Sequence, residues 1–169
     1  MAHAPGVSEV EQPATCFVCS KHRAEDDAEG GILYLDKLVY AGHVHTMGGT
    51  GAYRGHLVLE PRRHVEGLGL LDDAEAKRIG WLTNRLAALL RDELAAEHVY
   101  SFVLGGASVT ARTPAHLHVH LVPRYPGTPP EFAGTAITHW PDAPRVDPTG
   151  MRALVTELRA RLLAGAPPA

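Results

Sequence analysis

The sequence contains only two cysteines, Cys16 and Cys19, among its 169 residues. This argues against a disulfide scaffold, and a chain of this length can bury a core without one. The sequence also lacks any run of 18 or more apolar residues, so we expect no membrane span. Residues 1–12 have no apolar centre of the kind found in a signal peptide, so we expect a cytoplasmic protein.

An excess of positive charge is also missing, because the formal net charge is −3 at pH 7 with histidine neutral. This balance argues against a protein that binds nucleic acid or an anionic membrane through bulk charge. It remains compatible with a small anionic ligand in a locally positive pocket. The hydrophobic fraction of 45% is ordinary for a globular protein.

The length and the distribution of turn residues predict one domain at residues 15–163. We expect a flexible tail at residues 1–14 and a frayed end at residues 164–169. Short β-like runs and turn signals predict strands at residues 32–35, 38–41, 56–59, 99–104 and 116–122. Together with two helices, these strands predict an α+β domain.

The longer helix is predicted from Asp72, which can cap it, and from Glu75, which stands at the capping-box spacing. Its apolar stripe consists of Ile79, Leu82, Leu86, Leu89 and Leu94. A C-terminal helix is predicted from Asp147-Pro148, a cap followed by proline at the first helical position. We expect its buried face to contain Leu154, Val155, Leu158 and Leu162.

Three histidines alternate with apolar residues in the run 116–121. Because alternate residues of a strand share a face, His116, His118 and His120 should line up at steps of about 6–7 Å. Their neighbours should point into a core, namely Leu117, Val119 and Leu121. Aligned imidazoles can bind a metal ion, or they can bind phosphate and attack phosphorus as nucleophiles. The alternative is a solvent-facing strand with three incidental histidines.

Cys16 and Cys19 have the spacing of half a zinc site. Two further ligands are needed, and spacing alone nominates His22 as readily as a distant histidine. A redox-active pair and two unliganded thiols are the competing interpretations. A third cluster, Glu60-Pro-Arg-Arg-His64, places Arg62 and Arg63 after a strand, where they can meet an anion or remain solvated.

The run His116-Leu-His-Val-His-Leu-Val-Pro-Arg124 resembles the signature of the histidine-triad (HIT) family of nucleotide hydrolases and transferases. Three other features agree with the family in order: Cys16-x-x-Cys19, as in zinc-binding members, residues 55–64, which resemble a strand of the family, and the long helix before the triad. The resemblance covers roughly residues 16–125. It implies a HIT-like α+β fold with a mainly antiparallel five-stranded sheet, a long central helix and a C-terminal helix. It also implies a homodimer.

The resemblance further implies roles for single residues. His118 is the expected nucleophile, and His120 and His56 are the expected hydrogen-bond donors beside the phosphate. A structural zinc ion is expected on a closed set of four ligands, which are Cys16, Cys19, His64 and His116. Only the resemblance to the family favours this set of ligands over one that includes His22.

The sequence departs from the family pattern at two places. The Gly-Gln pair usual before the triad is replaced by Ala111-Arg112, followed by Thr113; we expect Arg112 and Thr113 to contact the phosphate. The acidic residue that usually binds the ribose is missing from residues 41–45. His43 and His45 alternate there, and they can contact a ligand or remain exposed at a loop edge. The segment around Trp140 is variable in the family.

The expected function is hydrolysis of a nucleotide substrate through a covalent nucleotidyl-histidine intermediate. Nucleoside phosphoramidates, dinucleoside polyphosphates and nucleotide sugars are the candidate substrates. The chemistry needs a neutral histidine, so activity should fall in acid. A nucleotidyltransferase and a non-catalytic nucleotide-binding regulatory module are the alternatives. A metalloenzyme with its metal on all three triad histidines is a further one.

Overall fold

The structure of the chain is a computed structural model that describes residues 16–24, 31–45, 51–104 and 116–164. Three α-helices are present in this part: α1 (Phe17–Ala24), α2 (Asp73–Leu94) and α3 (Pro148–Ala164). The strands are β1 (Ile32–Leu35), β2 (Val39–His43), β3 (Ala52–Tyr53), β4 (Leu57–Pro61), β5 (His98–Leu104), β6 (His118–Arg124) and β7 (Arg145–Val146). Short 3-10 helices occur at Leu68–Leu70, Pro130–Phe132 and Gly134–His139.

Five strands form one sheet in the order β1-β2-β4-β6-β5, and every neighbouring pair is antiparallel. This confirms the predicted α+β fold. The register places His120 of β6 between Val58 of β4 and Phe102 of β5. A second, two-stranded sheet joins β3 to β7, and the sequence analysis did not predict it.

Helix α2 begins as predicted, at a capping box formed by Asp72 and Glu75. The Asp72 carboxylate accepts the Glu75 backbone N–H at 2.8 Å, and the Glu75 carboxylate accepts the Asp72 N–H at 3.0 Å. Such a cap stabilises a helix by about 1 kcal/mol. The fully buried stripe is Ile79, Leu82, Leu86, Leu90 and Leu94. Leu90 replaces the predicted Leu89, which is only partly buried because it lies at the edge of the apolar face.

Helix α3 begins at Pro148 as predicted, and the Asp147 carboxylate accepts the Gly150 backbone N–H at 2.7 Å. Its buried face contains the four predicted residues and Met151. Helices α2 and α3 pack on one face of the sheet, and the core between them includes Val119, Leu121 and Trp140. The opposite face is therefore left to the side chains that alternate with this core.

Four of the five predicted strands differ from the observed ones by one or two residues at their ends. Strand β6 spans His118–Arg124 rather than residues 116–122, so His116 precedes the strand. Strand β4 ends at Pro61, whereas Pro123 lies inside β6. A proline at 123 is tolerated because the pairing of β6 with β4 extends only to Leu121.

Helix α1 was also not predicted, since a helix of eight residues carries little periodic signal. The domain limits 15–163 stay a prediction. The predicted tail at residues 1–14 and most of the predicted frayed end at residues 164–169 lie outside the described residues, as do residues 25–30, 46–50 and 105–115. None of the described helices has the length and apolar character that a membrane span needs.

Candidate active site and metal centre

Two histidines of β6, His118 and His120, lie on the sheet face away from the helices. Their ring centroids are 5.0 Å apart, and both side chains are half-buried. The residues that alternate with them are buried, as predicted: Leu117, Val119 and Leu121. The alternation therefore determines which face carries these two imidazoles.

The protonation of His118 is set by the backbone beside it. Its Nδ1 lies 2.7 Å from the His116 carbonyl oxygen. A carbonyl can only accept a hydrogen bond, so Nδ1 carries the proton. In the neutral ring the lone pair is consequently on Nε2, which is the atom available for attack on an electrophile.

His120 is held by His56, the residue directly before β4. His56 Nε2 lies 2.8 Å from His120 Nδ1, so one of these nitrogens donates a proton to the other. The Phe102 ring stacks on the His120 ring with centroids 5.1 Å apart and an interplanar angle of 20°. The Nε2 atom of His120 is buried and has no hydrogen-bond partner among the described residues.

Burial keeps this pair of imidazoles neutral. Burial, together with the charges that His120 and His43 would carry, lowers the pKa of His56 to about 3. Burial likewise lowers the pKa of His120 to about 4, with His118 acting in the same direction and Glu60 opposing. At neutral pH both rings are therefore uncharged and have one donor and one acceptor nitrogen each.

A second cluster contains the four residues that the resemblance nominated as metal ligands. The ligand atoms of Cys16, Cys19, His64 and His116 all lie within 4.8 Å of one another. His116 Nδ1 is 3.6 Å from Cys16 Sγ and 3.5 Å from Cys19 Sγ. His64 Nδ1 is 3.3 Å from Cys19 Sγ. Residues distant in sequence are thus brought together by α1, the end of β4 and the start of β6.

These distances fit a tetrahedral zinc ion. With Zn–S and Zn–N bonds of about 2.3 and 2.0–2.1 Å, a sulfur and a nitrogen ligand stand about 3.6 Å apart. His116 Nε2 donates to the Pro61 carbonyl oxygen at 2.8 Å, which leaves Nδ1 free to act as a ligand. Burial raises the pKa of the Cys19 thiol to about 12, and a hydrogen bond with Cys16 and the negative charge that Cys16 can carry act in the same direction.

His22, the alternative ligand by spacing, is not part of this cluster. Its Nε2 lies 2.9 Å from a Glu60 carboxylate oxygen, and Lys21 Nζ lies 2.6 Å from the same oxygen. Burial alone would raise the pKa of Glu60, but the bond to His22 and the Lys21 charge lower it to about 2. This buried group was not predicted from the sequence, although a glutamate within an apolar strand was a signal for it.

Several other predicted site residues have different surroundings. His43 is buried, so it is not the exposed loop-edge histidine that was one of the two alternatives for it. Arg62 and Arg63 bind within the protein rather than standing free for an anion. Arg63 donates to both Glu75 carboxylate oxygens, at 2.9 and 2.6 Å, and Arg62 reaches the backbone carbonyls of Asp36 and His22. Residues 111–113, with Arg112 and Thr113, lie outside the described residues.

Solved structures share this fold. A zinc-bound histidine triad family protein from Mycobacterium smegmatis superposes with a TM-score of 0.63 at 19% identity, covering 90% of this chain and 98% of that one. A histidine triad nucleotide-binding protein from Sulfolobus tokodaii gives 0.62 at 18% identity, over 88% and 93%. A diadenosine triphosphate hydrolase from Plasmodium falciparum gives 0.60 at 14% identity, over 80% and 78%.

The family follows from the sequence match as well as from the fold. Residues 28–127 match the HIT domain, and the chain belongs to the HIT domain family. It is also 31% identical over 102 residues to an AP-4-A phosphorylase from Mycobacterium tuberculosis. That alignment covers 60% of this chain and 50% of the relative, so the chain spans about half the length of the curated relatives that it matches.

Proposed function

We propose that this chain cleaves nucleotides by a double displacement in which His118 Nε2 attacks the phosphorus. The observation that carries the proposal is the 2.7 Å hydrogen bond from His118 Nδ1 to the His116 carbonyl oxygen. It leaves the lone pair of the neutral ring on Nε2, at a half-buried position beside two further histidines. A neutral imidazole is a good nucleophile, and the resulting phosphoramidate is labile enough to turn over.

The first displacement forms an N–P bond and breaks the bond between phosphorus and the leaving group. The ring becomes cationic when Nε2 is substituted, and the His116 carbonyl then accepts a stronger, charge-assisted hydrogen bond from Nδ1. In the second displacement water attacks the phosphorus and releases a proton to solvent, while the N–P bond breaks, its electron pair returns to Nε2, and the ring becomes neutral again. The nucleotide leaves as a monophosphate.

His56 and His120 act as donors in this proposal. When His56 Nε2–H donates to His120 Nδ1, the proton of the His120 ring is on Nε2. That Nε2 atom is buried and has no partner among the described residues, and in this proposal its N–H donates to a phosphate oxygen of the bound substrate. A preformed donor of this kind stabilises charge that spreads over the phosphate during transfer. Arg112 and Thr113 are proposed as further phosphate contacts.

The relatives support a nucleotide as the substrate, since one group is named for AP-4-A phosphorolysis and a structural neighbour for diadenosine triphosphate hydrolysis. The name of the AP-4-A phosphorylase supports inorganic phosphate, besides water, as an acceptor of the nucleotidyl group. A nucleotidyltransferase is therefore the alternative. A nucleotide substrate, a homodimer and a cytoplasmic location remain parts of this proposal.

The activity is tested by a turnover screen with nucleoside phosphoramidates, dinucleoside polyphosphates and nucleotide sugars, each with and without inorganic phosphate. We expect turnover of at least one class and its loss in His118→Gly. His98→Gln is the matched control, because His98 is an exposed histidine at the far end of the neighbouring strand β5. Full activity of His118→Gly contradicts the assignment. Tight nucleotide binding without any turnover favours a non-catalytic module instead.

We also propose that Cys16, Cys19, His64 and His116 hold a structural zinc ion. When bound, the ion has a closed shell of four protein ligands and joins α1 to the ends of β4 and β6. Metal analysis of the variant Cys16→Ala/Cys19→Ala tests the site, and we expect it to lose zinc. His22→Gln is the control and should keep full occupancy. Zinc at full occupancy in the double variant would instead favour a metal on the triad histidines.

A further inference from the structure

His43, at the end of β2, is a buried histidine whose two ring nitrogens are both engaged. Its side chain is 2% exposed. Nδ1 lies 2.9 Å from the Val44 carbonyl oxygen, which can only accept, so Nδ1 carries the proton. Nε2 is therefore the acceptor for the Gly55 backbone N–H at 3.0 Å. Burial lowers the pKa of His43 to about 4, so the ring is neutral and able to accept this bond at neutral pH.

Gly55 belongs to the tight turn that leads into His56. The His56 backbone N–H donates to the Tyr53 carbonyl oxygen at 3.1 Å and closes the turn. Gly55 has a φ of +78°, and a Cβ added to it would lie 2.6 Å from Leu94 Cδ1. The third residue of the turn must therefore be glycine, and its buried N–H depends on His43 as its acceptor.

The same turn fixes the backbone of a catalytic candidate. The Val44 N–H donates to the His56 carbonyl oxygen at 2.8 Å, directly beside His43 in β2. The His56 side chain in turn meets His120 Nδ1 at 2.8 Å. Two hydrogen bonds, one from Gly55 to His43 and one between His56 and His120, are thus joined by the peptide bond between Gly55 and His56.

We propose that His43 is a positioning residue that holds the turn at Gly55 so that His56 stays against His120. An apolar side chain would fill the same buried volume on the face of β2 that also carries Ala41, but would leave the Gly55 N–H buried and unpaired. The catalytic consequence rests on the proposed function. The positional consequence, the placement of His56, does not.

Three variants separate the hydrogen bond from the bulk of the ring. In His43→Gln the amide oxygen reaches the place of Nε2 and can accept the Gly55 N–H. In His43→Asn the amide reaches only the place of Nδ1, and His43→Leu fills the space without any acceptor. We expect Asn and Leu to lower kcat about 10- to 100-fold, with KM within about twofold, because small displacements of catalytic groups have effects of this size. Glutamine should restore kcat to within about threefold of wild type, and His98→Gln serves as the control.

Nuclear magnetic resonance provides a readout that needs no turnover. We expect the wild-type His43 ring to carry its proton on Nδ1 and to show a coupling across the hydrogen bond to the Gly55 amide proton. The His56 and His120 ring signals should shift in His43→Asn and should have their wild-type positions in His43→Gln.

Absence of the coupling in the wild type overturns the proposal even if no variant folds. The proposal is also overturned if His43→Asn keeps the wild-type kcat and the wild-type His56 and His120 ring signals. A fall of kcat in His43→Gln as large as that in His43→Asn overturns it as well. If the wild type turns over no nucleotide, the proposed function fails, while the ring signals still decide whether His43 positions His56.

Discussion

His116 and His118 are two residues apart and look equivalent in sequence, yet the fold gives them opposite free nitrogens. Each ring donates one N–H to a backbone carbonyl. His116 donates from Nε2 to Pro61, which leaves Nδ1 toward the two cysteine sulfurs. His118 donates from Nδ1 to His116 itself, which leaves Nε2 with the lone pair. The backbone thus selects the tautomer, and the tautomer determines the chemistry open to each ring.

Burial strengthens the contrast. His116 is completely buried among cysteines and has no open position, as a structural metal site requires. His118 is half-buried on the sheet face and can meet a ligand. Substitution of His118 should therefore lower turnover, and substitution of His116 should lower stability and metal binding.

The largest expected effect comes from His118→Gln. The amide retains the size and polarity of the ring without its nucleophilicity, so we expect turnover to fall by about 10⁴-fold or more. Zinc content and the thermal midpoint should stay at the wild-type values. Single-turnover kinetics and metal analysis on one preparation measure both, and a loss of zinc would break the separation between the two histidines.

Substitution of the neighbour, His116→Ala, should act on stability. Removal of a buried ligand leaves a cavity and an incomplete metal site, and we expect a loss of about 3–5 kcal/mol, or roughly 10 °C in Tm. Calorimetry with and without a chelator measures this. The chelator should lower the Tm of the wild type and leave that of the variant unchanged; an equal response of both proteins would count against His116 as a ligand.

An intermediate effect is expected at His56→Ala, which removes the partner of His120 Nδ1. The donor role of His120 Nε2 is then no longer fixed by a neighbour, so kcat should fall about 10²- to 10³-fold. Zinc content should not change. Steady-state kinetics on the substrate identified in the screen provide the measurement, and wild-type kcat would remove His56 from the proposed mechanism.

The smallest effect concerns stability in acid. Since burial lowers the pKa of His43 from 6.5 to about 4, the unfolded chain binds more protons than the folded chain between these pH values. Stability therefore rises with pH across this window and is lost as pH falls. The contribution of His43 amounts to about 2 kcal/mol between pH 7 and pH 5.

His43→Gln removes that contribution, so its unfolding free energy should change less between pH 7 and pH 5 than that of the wild type. Urea denaturation at the two pH values measures the difference. An identical pH dependence of the two proteins would mean that folded His43 titrates normally.

Local pattern was enough to predict part of this molecule. The alternation in residues 117–121 predicted which face carries His118 and His120, and the capping box predicted the start of α2. The four-residue metal cluster was predicted from family resemblance, since spacing left His22 open.

Other features depend on contacts that no local pattern contains. Alternation treats all three triad histidines alike, so it could not predict that His116 leaves the strand to meet two cysteines about a hundred residues away. The burial of His43 depends on a turn twelve residues further along the chain. Strands β3 and β7 have two residues each, which is too short for a periodic signal.

Locating the covalent intermediate tests most directly whether His118 is the nucleophile. Enzyme mixed with a nucleotide substrate is quenched within one turnover into alkaline denaturant, digested and analysed by mass spectrometry. We predict a mass gain of one nucleoside monophosphate on His118 and none on His116, His120 or His56. Turnover without an adduct on His118, or with the nucleotide on another histidine, would contradict the assignment of the nucleophile.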